Sequence, residues 1–239
     1  MAGTVINVGA ILLGGILGLS LRRDLSPKHQ LFLKTLLGVL ALYTGFRMVW
    51  ISVHGSLFQV LLQIFVALVA LVLGNLMGRG LGFQNQVNGL GRYARERLAK
   101  AKSGASQDFS EGFVTCSILF CVGPLAIVGS IQDGLHNDPR PLLVKAAMDG
   151  LATFAFVRIF GIGTLFSAFP VLAYQGTLSL LARYLKPVMA HPAMLDGFST
   201  TGGFMVAATA LLILDVRKVP LADYLPALIL APLLRLLIS

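Results

Sequence analysis

The sequence consists largely of long apolar runs that are separated by short polar breaks. About 20 apolar residues in an α-helix cross the roughly 30 Å of hydrocarbon in a lipid bilayer. The run over 57–78, for example, contains no charged residue. These runs predict eight transmembrane helices, over 3–21, 31–51, 57–78, 111–131, 142–166, 169–186, 198–215 and 223–238.

The composition excludes an ordinary water-soluble domain. Of the 239 residues, 56% are hydrophobic and only 12% are charged, and the mean hydropathy is +0.82. A soluble domain carries about 25% charged residues, because charges must cover its surface. The sequence therefore predicts an all-α polytopic membrane protein.

The net charge of +9 is distributed as in a membrane protein. If the spans alternate in direction, the loops over 22–30, 79–108 and 216–222 share one side and hold eleven Lys and Arg, whereas the opposite loops hold one or two. Lys and Arg are enriched in cytoplasmic loops, so these three loops are predicted to be cytoplasmic and both termini to lie outside. No nucleic-acid-binding motif accompanies the charge, and we expect no nucleic-acid partner.

The segment over 83–102 predicts a cationic amphipathic helix. Apolar residues recur at steps of three and four from Phe83 to Ala101, and the other face holds Arg92, Arg95 and Arg97. Such a helix lies at the headgroup level of a membrane. It can act as a cytoplasmic anchor between two halves of the chain, or it can contact lipids or a partner.

The chain is predicted to comprise a first repeat of three transmembrane helices (1–82), the amphipathic connection (83–108), a second repeat of three (109–190) and two C-terminal transmembrane helices (191–239). The residues that follow Gly3 show a weak similarity to those that follow Gly112. Three spans precede the second repeat, which therefore begins in the opposite orientation. This pattern predicts an inverted repeat, the usual construction of alternating-access transporters.

Asp149 and Lys145 are the strongest candidates for a functional site. They are four residues apart in the fifth predicted span, so they share one helix face. A charge near the centre of a bilayer costs about 2.5–3.5 kcal/mol on insertion scales and must find a partner. Asp149 is predicted to bind an ion, a proton or a substrate; alternatively, Lys145 simply neutralises it.

The fourth predicted span carries Gly123 and Pro124 near its middle, and Thr115 and Ser117 lie close by. Proline removes a backbone donor and breaks or bends a helix. Backbone carbonyls that are freed at membrane depth must face protein or a wet cavity. These four residues are therefore candidates for a binding site, and a bend that serves packing alone is the alternative.

Three further groups of residues stand out in the apolar runs. Ser199, Thr200, Thr201 and Gly202 are placed at the start of the seventh predicted span, where free N–H groups would suit an anion or form an ordinary helix cap. Asn7 and Gln175 are polar residues in apolar spans that predict substrate contacts or hydrogen bonds between helices. The pairs Gly14/Gly18 and Gly74/Gly78 predict close helix packing.

Signatures of an enzyme are missing from the sequence. There is no nucleophile elbow, P-loop or dinucleotide fingerprint, and the four histidines form no paired metal motif. We therefore expect a protein that is not an enzyme and that has no cofactor and no metal site.

Several short runs resemble a bacterial membrane protein family. They lie at 3–7, 112–124, 129–134, 145–149, 174–176, 202–203 and 225–227. Together they resemble the YqgA/YdfK family of uncharacterised inner-membrane proteins over nearly the whole chain. The resemblance implies a polytopic inner-membrane protein that is suspected to be a transporter, with no established substrate or site.

The favoured hypothesis is a small-solute transporter of the bacterial inner membrane that works by ion- or proton-coupled alternating access. Replacing Asp149 by Asn is expected to abolish coupled transport and to leave the fold largely intact. An ion channel and a non-catalytic scaffold or lipid-interacting protein are the alternatives. The expected partners are a small molecule or an ion, membrane lipids, and a second copy in a two-fold dimer.

Overall fold

The computed structural model describes residues 1–20, 26–102, 109–121, 124–185 and 191–238, which form helices and connecting turns and no strand. The helices are α1 (Ala2–Ser20), α2 (Pro27–Trp50), α3 (Leu57–Leu81), α4 (Phe83–Lys102), α5 (Phe109–Cys121), α6 (Pro124–His136), α7 (Arg140–Phe160), α8 (Gly163–Phe166), α9 (Ala168–Leu185), α10 (Pro192–Ile213) and α11 (Ala227–Leu237), with a short 3-10 helix at Leu221–Tyr224. The all-helical prediction is confirmed for this part of the chain, and so is the helix predicted over 83–102.

Fewer helices than the predicted eight are long and apolar enough to be recognised as membrane spans. Among the described residues, four helices are long and apolar enough to cross a membrane, namely Ala2–Ser20, Leu57–Leu81, Gly163–Tyr184 and Pro192–Ile213. The pair α5 and α6 makes a fifth if it counts as one span, and its two axes differ by 62°. α7 does not qualify because it carries four charged residues, and α11 has 11 residues, which cover only about 16 Å. The count of eight stays a prediction.

Two predicted span boundaries differ from the structure. The fifth span was predicted to continue to residue 166, but α7 ends at Phe160, because the φ of 70° and ψ of −158° at Gly161 stop the helix. This backbone conformation is open to glycine and strained for other residues. The eighth span was predicted as one helix over 223–238. In the structure, residues 225 and 226 separate the 3-10 helix from α11, so no single helix covers this range.

The helices group into two compact units. Unit 1 comprises Met1–Leu33 and Gln86–Ala182. Within it, α1 packs lengthwise along α7. The two backbones approach closely because Gly14 of α1 lies against the carbonyl of Gly150, and Gly18 lies against Phe154. The apolar core of this unit includes Ile11 and Phe160 together with Cys116, Phe120, Ala168 and Val171.

Unit 2 comprises Lys34–Asn85 and Arg183–Ser239. Within it, α11 packs against α3 and α10. Gly74 lies against Ala227, and Gly78 lies against Asp223. The prediction that both glycine pairs mediate close helix packing is therefore confirmed. Since these faces are filled within the chain, they no longer support the expected dimer.

The two units do not coincide with the four consecutive segments that were predicted. Each unit joins an N-terminal stretch to a stretch from much later in the chain. These distant stretches pack together because glycines allow their backbones to approach closely. Small residues permit such contact where α1 docks on α7 and where α3 docks on α11. The inverted repeat stays a prediction.

The distribution of side chains is that of a helical membrane protein. Large apolar side chains are exposed on the helices, such as Leu13 (63%) and Phe65 (61%), whereas polar side chains such as Asn7 and Gln175 are fully buried. Lipid is a suitable surrounding for such apolar surfaces, and polar residues then lie between the helices.

Candidate functional site

An ion pair lies inside unit 1, on α7. The Nζ atom of Lys145 donates to both carboxylate oxygens of Asp149, at 2.6 Å to Oδ1 and 2.7 Å to Oδ2. Each residue is only 5% exposed. The i, i+4 spacing on one helix brings the two groups together without help from other elements.

Asn7 of α1 connects this ion pair to Gln175 of α9. Its Nδ2 group donates to Oδ2 of Asp149 at 3.0 Å and to Oε1 of Gln175 at 3.2 Å. Both amides are completely buried. Lys145, Asp149, Asn7 and Gln175 thus form one hydrogen-bonded group, which we call the Asp149 cluster.

The Asp149 cluster has unused hydrogen-bonding capacity. Among the described residues, Oδ1 of Asn7 and Nε2 of Gln175 have no hydrogen-bond partner, although both atoms are buried. A buried polar group without a partner costs about 1–3 kcal/mol. One acceptor and one donor beside the buried ion pair are therefore left without a partner among the described residues.

The close approach of α1 to α7 positions the cluster. Asn7 is two turns before Gly14, the residue that contacts the backbone of Gly150. A side chain larger than hydrogen at position 14 would push the two helices apart. The amide of Asn7 would then lose its contact with Asp149.

α5 places an aromatic ring near this cluster and also carries the predicted residues Thr115 and Ser117. The ring centroid of Phe120 lies 5.9 Å from Nζ of Lys145, a distance that allows a cation–π interaction. Thr115 is fully buried, and its Oγ1 has no partner within the described ranges. Ser117 donates instead to the carbonyl of Phe113, one turn earlier on its own helix.

The predicted helix break lies between α5 and α6. α5 ends at Cys121, α6 begins at Pro124, and the two axes are bent by 62°. Proline suits the first turn of a helix because its missing N–H is not needed there. Gly123 lies outside the described residues.

The anion site predicted at the start of the seventh span is wrong in its geometry. α10 begins at Pro192, so 199–202 lie in the helix interior, where backbone N–H groups bond within the helix. The residues Ser199, Thr200, Thr201 and Gly202 are all buried and belong to unit 2. The start of this helix was predicted too late because the prediction was based on hydropathy. Asp196 lowers the hydropathy at a position that already belongs to the helix.

Asp133 of α6 is a buried carboxylate that sequence reasoning did not single out. It is 1% exposed, and its Oδ2 accepts a hydrogen bond from the N–H of Gly3 at 3.0 Å. A carboxylate at the N-terminus of a helix stabilises it. Asp133 thereby holds the start of α1, the helix that carries Asn7. The sequence signal that could have identified Asp133 is its position at the end of an apolar span.

Within the described ranges, no group of three or more His, Cys, Asp or Glu side chains is placed to hold a metal ion.

Comparison with known proteins gives a consistent result. The family model described as "Protein of unknown function (DUF554)" matches residues 2–236. The chain is 25% identical over 233 residues to "Uncharacterized membrane protein YdfK" of Bacillus subtilis (strain 168), covering 97% of this chain and 94% of that protein. It is 30% identical over 237 residues to "Uncharacterized protein YqgA" of Escherichia coli (strain K12), covering 96% and 94%.

No solved structure matches the chain. A family match over nearly the whole length, a relative that is called a membrane protein, and the apolar helices all agree with the resemblance seen in the sequence. The chain is a membrane protein that is similar to YdfK and YqgA, and it belongs to the DUF554 family.

Proposed function

We propose that this protein is a small-solute transporter of the bacterial inner membrane, driven by an ion or a proton. The observation that carries the proposal is the buried Asp149 cluster, in which a charged pair and two amides with unpaired atoms lie between apolar helices. Ionisable residues within membrane segments typically mark the path of a substrate, an ion or a proton.

In this proposal the residues of the cluster have different roles. Asp149 takes up the coupling proton or ion, and Lys145 neutralises the carboxylate while the site is empty. Oδ1 of Asn7 accepts a hydrogen bond from the solute, and Nε2 of Gln175 donates one to it. The break between α5 and α6 supports this proposal, since discontinuous helices form the binding sites of many transporters.

Coupling would follow from competition for one carboxylate. When Asp149 is protonated or holds a cation, its attraction to Lys145 falls. The Lys145 ammonium then needs another partner, and an anionic or polar solute can provide one. The inverted repeat would supply the alternating motion, since two structurally similar halves can rock about a fixed site.

The first test is thermal stability of the detergent-purified protein with amino acids, mono- and dicarboxylates, sugars, nucleosides, Na⁺ and K⁺, at a mildly acidic and a mildly alkaline pH. A ligand at about 100 times its Kd that binds only the folded state adds about 2.7 kcal/mol. The stabilising solute is then radiolabelled, and its uptake into proteoliposomes is measured under a pH or Na⁺ gradient.

Asp149→Asn is the decisive variant, and Asp215→Asn at an exposed position is the matched control. We expect gradient-driven uptake by the wild type and by Asp215→Asn, and none by Asp149→Asn. The double variant Lys145→Met/Asp149→Asn removes the charged pair without leaving one charge buried, and it should also be inactive. Uptake that persists unchanged in Asp149→Asn contradicts the proposal.

The same experiment separates the alternatives. An ion channel would give single-channel currents in a planar bilayer, without dependence on a gradient of a second solute. A lipid-interacting scaffold would be insensitive to Asp149→Asn. It would instead depend on the cationic face of α4, which can be tested by neutralising Arg92, Arg95 and Arg97.

A further inference from the structure

Unit 2 contains a cavity of about 250 Å³ that no residue of the Asp149 cluster lines. It lies where α3 and α10 begin and where α11 ends. Its walls are formed by Gln59, Leu62 and Gln63 of α3, by Ala193 and Asp196 of α10, and by Arg235 and Ile238 at the end of the chain. The cavity therefore combines two opposite charges, two amides and apolar side chains.

The cation of this cavity is buried and has no direct partner among the described residues. Arg235 is 9% exposed, and its aliphatic stem lies over Gly197, where a Cβ atom would meet Cγ of Arg235 at 2.8 Å. Within the described part of the chain, its guanidinium makes no hydrogen bond and forms no ion pair within 4.0 Å. Asp196 attracts it only over a longer distance.

The carboxylate of Asp196 is in a similar position. Its Oδ2 atom lies 3.7 Å from Nδ1 of His54, a distance longer than a hydrogen bond. His54 itself is largely exposed. Arg235 and Asp196 therefore line one cavity with opposite charges, and the described residues leave both groups available for a ligand.

The walls of the cavity are held in place by other hydrogen bonds. Gln63 binds the loop before α3 at two points, because its Nε2 donates to the carbonyl of His54 at 2.8 Å and its Oε1 accepts from the N–H of His54 at 3.0 Å. Oε1 of Gln59 accepts from the N–H of Ser56 at 2.8 Å, which caps α3. A cavity whose walls are already ordered costs less entropy to fill.

We propose that this cavity binds a small zwitterion, with its anionic group on Arg235 and its ammonium group on Asp196. Guanidinium binds carboxylate and phosphate through two parallel hydrogen bonds, and a carboxylate accepts hydrogen bonds from ammonium. The volume corresponds to about eight water molecules. A free amino acid and the headgroup of phosphatidylethanolamine both present this pair of charges at a suitable size.

The first experiment compares whole and partial ligands on the detergent-purified full-length protein. Thermal unfolding is measured with L-leucine, L-alanine and L-glutamine, and with isocaproate and isopentylamine, which keep only the carboxylate or only the amine of leucine. We expect an amino acid to raise Tm and both half-molecules to have little effect at the same concentration.

A second arm identifies a lipid source for the same chemistry. The protein is placed in nanodiscs of phosphatidylethanolamine or of phosphatidylcholine, whose trimethylated amine cannot donate a hydrogen bond to Asp196. A higher Tm in phosphatidylethanolamine alone, without an effect of free amino acids, assigns the cavity to the headgroup and supports the proposal.

Two variants test whether the site is this cavity. Arg235→Met keeps an aliphatic stem over Gly197 and removes the cation, so the affinity for the amino acid should fall about tenfold or more and approach that for isopentylamine. Asp196→Asn should lower the affinity for the amino acid by a similar factor, so that it approaches the affinity for isocaproate. Arg217→Met, which changes an exposed arginine of the same unit, should bind normally. In nanodiscs, the two cavity variants should lose the preference for phosphatidylethanolamine.

Two results would overturn the proposal. One is that neither an amino acid nor phosphatidylethanolamine stabilises the wild type more than the single-charge or trimethylated probes do. The other is that stabilisation persists unchanged in Arg235→Met and Asp196→Asn. If either variant fails to fold, Ala193→Leu keeps both charges and fills the cavity, and unchanged binding by this variant would equally refute the site.

Discussion

At the scale of single residues, the charges of Lys145 and Asp149 neutralise each other where little solvent reaches them. The sequence predicted this pairing, because four residues make slightly more than one helical turn. It also proposed Asn7 and Gln175 for the same site. It did not specify that Asn7 donates to both Asp149 and Gln175, since these residues are separated from Asp149 by 142 and 26 positions and belong to other helices. The structure also changes one expectation: Asp149→Asn would leave the Lys145 ammonium buried without its counter-charge, so the fold should be weakened.

The pair can be tested by its effect on stability. Breaking a buried ion pair by removing one partner costs about 3–5 kcal/mol, whereas removing both partners costs far less. We expect Lys145→Met and Asp149→Asn each to lower Tm by roughly 6–12 °C, from about 3 kcal/mol in a chain of this size. The double variant should recover most of this loss, as measured by thermal unfolding in detergent.

The control is the pair Asp138 and Arg140, which lies at the start of α7, with Arg140 exposed. Asp138 is buried, but the Arg140 side chain is 46% exposed, so solvent screens this ion pair. Arg140→Met should therefore lower Tm less than either single variant of the Lys145–Asp149 pair. Losses that simply add in the Lys145/Asp149 double variant would show that the two groups do not stabilise each other.

At the scale of helices, glycines determine which elements can touch. A Cβ atom on Gly14 would lie against the carbonyl of Gly150 on α7, whereas a Cβ atom on Gly9 of the same helix would meet nothing within 4 Å. The sequence predicted Gly14 and Gly18 as a packing face. It could not identify α7 as the partner, because several helices carry small residues that permit a close approach.

This difference between two glycines of α1 provides a matched comparison. We expect Gly14→Ala to destabilise the protein by about 1–3 kcal/mol, because the methyl group forces two backbones apart. Gly9→Ala should leave stability unchanged or raise it slightly, since alanine favours a helix over glycine. Thermal unfolding of the two variants side by side measures this, and equal effects would show that α1 does not dock on α7 through Gly14.

At the scale of the whole molecule, the orientation in the membrane follows from the charges of the loops. In unit 2, α3 begins beside His54, and its C-terminal end at Gly78 contacts Asp223, close to Lys218 in the chain. His54 and Lys218 therefore lie near opposite ends of α3. The distribution of Lys and Arg predicts that the end at Lys218 is cytoplasmic.

Cysteine labelling in intact bacteria tests this orientation. With Cys116 and Cys121 replaced by alanine, we expect a membrane-impermeant maleimide to label His54→Cys and not Lys218→Cys, because only the former would face outward. Disruption of the cells should make the second position reactive as a control for accessibility. Labelling of Lys218→Cys alone in intact cells would reverse the predicted orientation.

The sequence by itself determined properties that depend on composition and on neighbours within about one helical turn. It identified a helical membrane protein, the amphipathic segment over 83–102, the pairing of Lys145 with Asp149, and the glycine faces. Helical periodicity and the cost of placing charge in hydrocarbon are local effects, and they can be read from one chain.

Only the tertiary structure decided which distant residues meet. It joined Asn7 and Gln175 to Asp149, moved the start of α10 to Pro192, and placed Asp196 and Arg235 around one cavity. Between apolar helices, hydrophobicity favours no particular partner, so the contacts are selected by backbone fit and by polar groups that must find each other. These two effects depend on the positions of whole helices, which no short stretch of sequence specifies.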